Sequence, residues 1–501
     1  MSKRKNSFHV DGSKTGSGSF IALSPLLGTT AGVTLIVVAA IFAYFPSISG
    51  GFILDDDLLL TKNELIKSPE GLYRIWRTTA ALDYWPMSNT TLWIEWRLWG
   101  MNPTGYHVTN LVLHIIEALL IWNILRKLSI PGAFLAGMIF AVHPINVESA
   151  AWVAQRKDMF AMLFFLLSIL WYLNEEREYL PSPDRLCQTA AGRWYWLSLA
   201  AFVLAMLGKG SVAVLPVLLL EIVWWRRKIS QWDLAKTAPF FLVAVVLAAV
   251  NMWFQTHGME KVYRIASFSE RLLGAGDVVW FYLYKDLLPF DLTFVYPQWH
   301  IQTYNPLWWL PLAAAVAVTL VLWRYRKRWS RPFLFAWGFF CVALVPVMGF
   351  TDVGFMTYSL VADHYQHIAL IGVIALAAAG WNVWNQKARG KVCLAAMVLA
   401  IAAVGALTFL TWRQSRLYGN PIILYQDTLE KNPNSWLIHN NLGLVLAEEG
   451  RPQEAVRHYE KALELNPDYP KIHNNLGKTL LDLGRVQDAI PHLIRAVKLK
   501  P

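Results

Sequence analysis

Cysteine is almost absent. Three in 501 residues, at 187, 341 and 393, exclude a disulfide-stapled scaffold and are too scattered for a zinc or redox motif. Charge is scarce as well. Only 16% of residues are Asp, Glu, Lys or Arg, against about a quarter in soluble domains, which argues against an ordinary soluble globule. The first long apolar run, near residues 31–48, lacks a small-residue cleavage site, so it reads as a retained span rather than a removed signal. Gly208-Lys209-Gly210-Ser211 lacks the preceding glycine spacing of a phosphate loop. What the chain has in abundance is apolar surface: 55% hydrophobic residues, a mean hydropathy of +0.36 and 25 tryptophans, the rings that collect at membrane–water boundaries. The net charge of +11 sits in short clusters between apolar runs, a pattern that orients membrane spans and does not form a nucleic-acid face.

Apolar stretches at 31–48, 106–125, 131–147, 158–174, 193–208, 211–225, 238–255, 306–323, 332–350, 364–383 and 392–411 read as eleven crossings of an all-α, polytopic membrane bundle. The clusters Arg126-Lys127, Arg226-Arg227-Lys228, Arg324 to Arg328 and Lys387-Arg389-Lys391 all face the cytoplasm only if residues 273–290 do not cross. Residues 1–30, polar and rich in Ser and Gly, then form a disordered cytoplasmic tail. The membrane domain runs over 31–412, with a first outer loop at 49–105, and residues 413–501 lie outside.

That last segment repeats itself. Asn440-Asn441-Leu442-Gly443 recurs at Asn474-Asn475-Leu476-Gly477, and the same step of 34 separates Ala455 from Ala489 and Pro433 from Pro467 and Pro501. A period of 34 with small residues at helix crossings and a closing proline is similar to the tetratricopeptide repeat, an α-solenoid of paired helices. Residues 416–432 read as a preceding helix that joins the last span to the array. The last repeat has no polar capping helix after it, so further sequence or an outside partner is expected to cover it. Asn441 and Asn475 are the acceptor-binding candidates, because an amide pairs with both donor and acceptor of an extended peptide; hydrogen bonding between repeats is the competing role.

Charge near the membrane is costly and marks function. Asp55-Asp56-Asp57 opens the first outer loop, where adjacent carboxylates raise one another's pKa, as a general base or a cation site requires; a solvated run capping the next segment is the alternative. A second cluster runs from His143 through Glu148 and Trp152 to Arg156, Lys157 and Asp158. If helical beyond Pro144, it sets Glu148, Trp152 and Arg156 on one face, either to hold a charged head group or as an interfacial anchor. Lys209 lies at an outer turn. His364 and His367 stand three apart, which is two ligands and not a metal site.

Taken together these residues resemble a known family. Phe52-x-x-Asp55-Asp56 with Asn63, Trp85-Pro86, Gly100-Met101-Asn102-Pro103 through His107, Asn110 and His114, His143-Pro144-x-x-x-Glu148 to Arg156-Lys157-Asp158, Lys209 with Pro216, and Val345-Pro346-Val347 before Ala362-Asp363-x-Tyr365 are similar to bacterial relatives of the transmembrane and tetratricopeptide-repeat-containing proteins, in the C-type glycosyltransferase superfamily. The resemblance implies a C-type bundle that moves a sugar from a polyprenyl-phosphate carrier to an acceptor hydroxyl on the outer face, with inversion and protein Ser/Thr as the acceptor. It implies Asp55 or Asp56 as catalytic base, and His143, Glu148, Arg156, Lys157, Lys209 and position 364 around the donor phosphate. It also implies a bacterial inner membrane, with the repeats in the periplasm. The chain departs from the family pattern at His364, where Arg is usual, and a His weakens a phosphate contact at neutral pH. No cofactor is required by this chemistry, although the carboxylates could also hold a divalent ion. The partners expected are the lipid-linked sugar, membrane lipid and an acceptor polypeptide. The competing reading is a non-catalytic, membrane-anchored repeat scaffold for periplasmic proteins.

Overall fold

Prolines and short polar caps punctuate the apolar runs and set where each helix begins. The computed structural model describes residues 25–81, 83–178, 192–258 and 266–500, and every regular element among them is helical. Most of the expected tail lies outside the described residues, but the first helix, α1 (Pro25–Tyr44), already starts before residue 31. The first outer loop folds into α2 (Glu64–Lys67), α3 (Gly71–Arg77) and α4 (Pro86–Trp99). Asn63 caps α2 by accepting from Leu65 N at 3.0 Å, and Pro86 sits in the first turn of α4. Next come α5 (Pro103–Lys127), capped by Asn102, then α6 (Ala133–Ala141), α7 (Asn146–Ala151), α8 (Arg156–Glu178), α9 (Arg193–Gly208), α10 (Leu215–Arg226) and α11 (Gln231–Gly258). A capping box at Ser267 and Glu270 starts α12 (Phe268–Leu287). The membrane part closes with α13 (Trp309–Tyr325), α14 (Arg331–Leu344), α15 (Leu370–Lys387) and α16 (Lys391–Tyr418).

Among the described residues, six helical stretches are long and apolar enough to cross a bilayer: Gly28–Ser47, Pro103–Lys127, Val153–Glu176, Gln231–Phe254, Pro306–Tyr325 and Lys391–Tyr418. The chain is a multi-pass membrane protein. Two of the expected spans take a different form. The run at 131–147 yields a helix of only nine residues, roughly 14 Å at 1.5 Å per residue, or half a hydrocarbon core. The chain then turns at Val142 to Ile145, where Pro144 lacks a donor for a continuing helix. The run at 364–383 is helical only from Leu370, since Asp363–Gln366 form a single tight turn.

The bundle has two chemically distinct poles. At one, Lys127 Nζ donates to Asn174 at 2.8 Å, Arg226 pairs with Glu176 at 2.8 Å, and Arg331 donates to the carbonyls of Trp224 and Trp225. The Asp- and His-bearing turns gather at the other. Helix α12 runs beside the loop at 349–362. Arg271, near its start, bonds Gly349 O and Asp352, Tyr282 donates to Ala362 O, and its end at Asp286 meets His143, so its length follows the 349–362 loop. With the basic pole in the cytoplasm, a cysteine introduced at Trp329 should resist an impermeant thiol reagent in intact cells and react after permeabilisation. Labelling of intact cells would reverse the orientation.

The solenoid follows directly. α16 continues through residue 412 to Tyr418, and α17 (Pro421–Lys431), capped by Asn420, leads into α18 (Trp436–Glu448), α19 (Pro452–Leu465), α20 (Pro470–Asp482) and α21 (Val486–Leu499). Gly443 and Gly477 permit the close crossings within each pair: a Cβ would lie 2.8 Å from the Tyr459 ring at Gly443 and 2.7 Å from Leu493 at Gly477.

Candidate active site

The turn carrying the three aspartates is clamped from three directions. His107 of α5 bonds Gly50 O at 3.1 Å, Trp152 Nε1 donates to Ile53 O at 3.3 Å, and Leu54 N donates to the Tyr425 hydroxyl of α17 at 3.1 Å. Leu54 is held at a φ of +46°, a left-handed conformation that costs a branched residue about 1–3 kcal/mol and persists only where neighbours enforce it.

The clamp gives the three carboxylates different environments. Asp56 is buried and occupied: Oδ2 accepts from Ile53 N at 2.9 Å and Oδ1 from Ala154 N at 2.6 Å. Burial, with Asp55 and Asp57 alongside, pushes its carboxyl up to about 8 despite the two backbone donors. Asp57 turns outward to Lys62 at 2.5 Å and Thr61 at 2.6 Å. Asp55 is half-buried, and no hydrogen bond engages its carboxylate among the described residues. Burial raises its pKa, while the positive charges of Lys157 and Lys471 pull it back down. The run therefore contains one structural carboxylate, one surface ion pair and one carboxylate without a hydrogen bond among the described residues.

The second cluster is not one helix. α7 ends at Ala151, Trp152 is extended, a short turn spans Val153–Gln155, and α8 restarts at Arg156, so the expected stripe of Glu148, Trp152 and Arg156 does not form. The break is what lets Ala154 N reach Asp56. Arg156 is fully buried and turned inward. It pairs with Glu95 of α4, and donates to Asn110 Oδ1 at 2.5 Å and Tyr106 O at 3.0 Å. His143 is also internal, bonded to Asp286 O at 3.1 Å. Both of these residues tie helices together instead of facing a ligand.

Lys157, Lys209 and His364 remain around the opening. Lys157 Nζ lies 4.8 Å from the centre of the Trp85 ring, and Lys209 pairs with Asp158 at 2.5 Å. Asp158, Lys209, His364 and Tyr365 line a narrow polar cleft with a volume of about 20 Å³. Glu148 reaches His364 twice: Oε2 accepts from its backbone N at 3.0 Å, and Oε1 lies 3.0 Å from Nδ1. Burial, then Asp158, pushes the Glu148 carboxyl up to about 8, and burial, then Lys209, holds the His364 imidazole neutral, well below its usual value. The two atoms are close, yet neither Glu148 Oε1 nor His364 Nδ1 has a hydrogen-bond partner among the described residues. A neutral His364 offers at most one N–H where an Arg would offer a charged fork. Its neighbour His367 turns elsewhere, to Asn146 at 2.9 Å and Glu117 at 3.1 Å. Among the described residues no three His, Cys, Asp or Glu side chains converge as metal ligands would.

In the solenoid, the two candidate asparagines each use one amide N–H within the array. Asn441 donates to Leu437 O of its own helix at 2.8 Å, and Asn475 to Asn440 of the preceding repeat at 3.1 Å, which is the inter-repeat role. The residues that sequence reasoning missed are Glu95, which neutralises Arg156, Tyr425, which clamps the aspartate turn, and Lys471, whose charge acts on Asp55. No local motif marks any of the three.

A multi-pass helical membrane domain with a carboxylate turn sealed by a tetratricopeptide array defines the class. Tetratricopeptide-repeat family models match residues 424–457, 443–484 and 470–501. The chain is 23% identical over 462 residues to "Protein O-mannosyl-transferase F38B6.6" of Caenorhabditis elegans, covering 85% of this chain and 61% of the relative. It is 24% identical over 493 residues to human "Protein O-mannosyl-transferase TMTC4", covering 84% and 64% respectively. A shorter stretch of 149 residues is 30% identical to mouse "Protein O-mannosyl-transferase TMTC2" and covers 26% of this chain and 17% of the relative. The chain spans less than two thirds of the length of the first two relatives. The chain is thus similar, at low identity, to proteins named as O-mannosyl-transferases.

Proposed function

We propose that the protein is a membrane glycosyltransferase that moves a sugar, mannose by analogy with its relatives' names, from a polyprenyl-phosphate carrier to a hydroxyl of a polypeptide. The observation that carries this reading is the open Asp55 carboxylate, held by the clamped turn between the cationic cleft and the repeats. The acceptor O–H gives its proton to Asp55 as the oxygen attacks the anomeric carbon from the face opposite the phosphate. The carbon–oxygen bond to the carrier breaks and inverts the centre, and the polyprenyl phosphate leaves with the electron pair. Lys209 and Lys157 stabilise the charge that develops on that phosphate, and a neutral His364 beside Lys209 adds at most one N–H donor. Helices α8 and α14, which line the cleft, also line an apolar crevice toward the basic pole, with Leu166, Ile222, Phe335, Phe339, Ile371 and Ala375 among its walls. Its lining residues are apolar, so it suits the carrier's isoprenoid tail. On this reading the carboxylate pole and the repeats face the periplasm of a bacterial inner membrane.

The test is transfer of labelled mannose from polyprenyl-phosphate-mannose to a Ser/Thr peptide by purified protein. Because the base must be unprotonated and the Asp55 pKa is raised, kcat/KM should fall with decreasing pH at a higher pH than an ordinary carboxylate near 4 would give. Removing the Lys471 charge should move that limb further up, since this charge lowers the Asp55 pKa. An absence of transfer from any lipid-linked sugar would leave the scaffold reading in its place.

A further inference from the structure

The repeat array is bolted to the membrane domain. Besides the Tyr425–Leu54 bond, Lys431 Nζ donates to Leu292 O at 2.9 Å and Asn432 to Val295 O at 3.1 Å. This fixes the starts of α18 and α20 over the loop at Gly354–Thr357. Three rings meet there. Tyr358 lies 5.5 Å from Trp436 at an interplanar angle of 64°, and Trp436 lies 4.6 Å from Tyr469 at 54°. All three are only partly buried, and Tyr358 stands close enough to Asp55 for the carboxylate's charge to raise its own pKa. Beside them Lys471 is exposed and forms no ion pair among the described residues, yet its charge reaches Asp55.

We propose that this junction is the acceptor subsite: Tyr358, Trp436 and Tyr469 hold an extended polypeptide across Asp55, and Lys471 selects an acidic side chain next to the acceptor hydroxyl. The inference rests on Asp55 as the base of sugar transfer. Three observations favour it. Each asparagine that would otherwise grip a peptide inside the solenoid already uses one amide N–H within the repeats. The rings are tilted against one another, which makes a notch for successive side chains and not the single flat face on which a pyranose stacks. An ammonium at the rim without an ion-pair partner steers and orients an anionic segment, and its proximity to Asp55 sets that segment's register on the reacting hydroxyl.

The experiment is fluorescence anisotropy of labelled Ser/Thr peptides on the full chain in detergent, with Glu or Gln beside the hydroxyl. The same peptides are used in transfer assays where transfer occurs. The wild type should bind the Glu peptide more tightly. Lys471→Glu, an exposed change that the fold tolerates, should reverse that preference by roughly tenfold. Tyr358→Ala with Tyr469→Ala should weaken both peptides by about tenfold or more, as loss of aromatic anchors does. Equal affinities for both peptides in wild type and Lys471→Glu, or a neutral oligosaccharide that binds in place of either peptide, would overturn the subsite. Peptide binding with these shifts but no transfer in the wild type would retain the subsite and remove the catalytic reading. Transfer whose peptide KM is the same in every variant would do the reverse.

Discussion

Asp55→Asn should lower turnover by roughly 10²–10⁴ while leaving expression and thermal stability of the purified protein unchanged. The carboxylate forms no hydrogen bond within the fold among the described residues, so an amide of the same shape breaks nothing there, and it also removes a negative charge from beside Asp56. Asp56→Asn should behave in the opposite way. Its two oxygens each accept a backbone N–H, from Ile53 and Ala154, and an amide can accept only one of them. Its NH2 group would then face a buried N–H, at a cost of about 1–3 kcal/mol. That variant should melt earlier, and activity should fall through misplacement of the turn. Steady-state kinetics beside a melting curve separate the two cases. Equal loss of stability in both variants with full activity in the folded fraction of Asp55→Asn would remove Asp55 from the chemistry.

Adjacent aspartates are equivalent in a sequence; only the partners distinguish them. Ala154 is 98 residues from Asp56, and Tyr425 is 371 from Leu54. The helices were legible because apolar runs and their proline or asparagine starts are local signals, as at Asn102-Pro103 and Asn420-Pro421. The repeats were legible because their period of 34 needs no tertiary information. The break at Trp152 was not. Residues 146–158 show no Gly or Pro, and the chain leaves the helical path because the Trp152 indole and the Ala154 amide are both drawn to the aspartate turn. Half-length α6 was missed for a related reason, since hydropathy counts apolar residues and does not see that Pro144 stops the helix.

The motif residues around the site divide along the same line. Asn63, Asn102, His107, Asn110 and His143 match the family pattern, and every one of them bonds backbone or caps a helix. A motif therefore marks what must be held as much as what reacts. Lys209 lines the cleft, and the charge of Lys157 acts on Asp55.

Arg156→Met should prevent accumulation of folded protein, or lower its melting temperature sharply in detergent, without a distinct effect on donor use. The guanidinium is fully buried, and it neutralises Glu95 while binding Asn110 and the Tyr106 carbonyl, so it holds α4, α5 and α8 together. Removing one partner leaves a buried charge unpaired, which costs about 3–5 kcal/mol, a large part of any domain's stability. Neutralising the other side should then help: adding Glu95→Gln to Arg156→Met removes the orphaned carboxylate and should recover a good part of the loss. Were Arg156 a donor-phosphate ligand, the rescued double variant would fold yet show a KM for the lipid-linked sugar raised at least tenfold. The inward geometry instead predicts a near-normal donor KM in that variant, with Lys209→Ala showing the raised KM. A double variant that folds no better than Arg156→Met would show that the pairing with Glu95 is not what the arginine supplies.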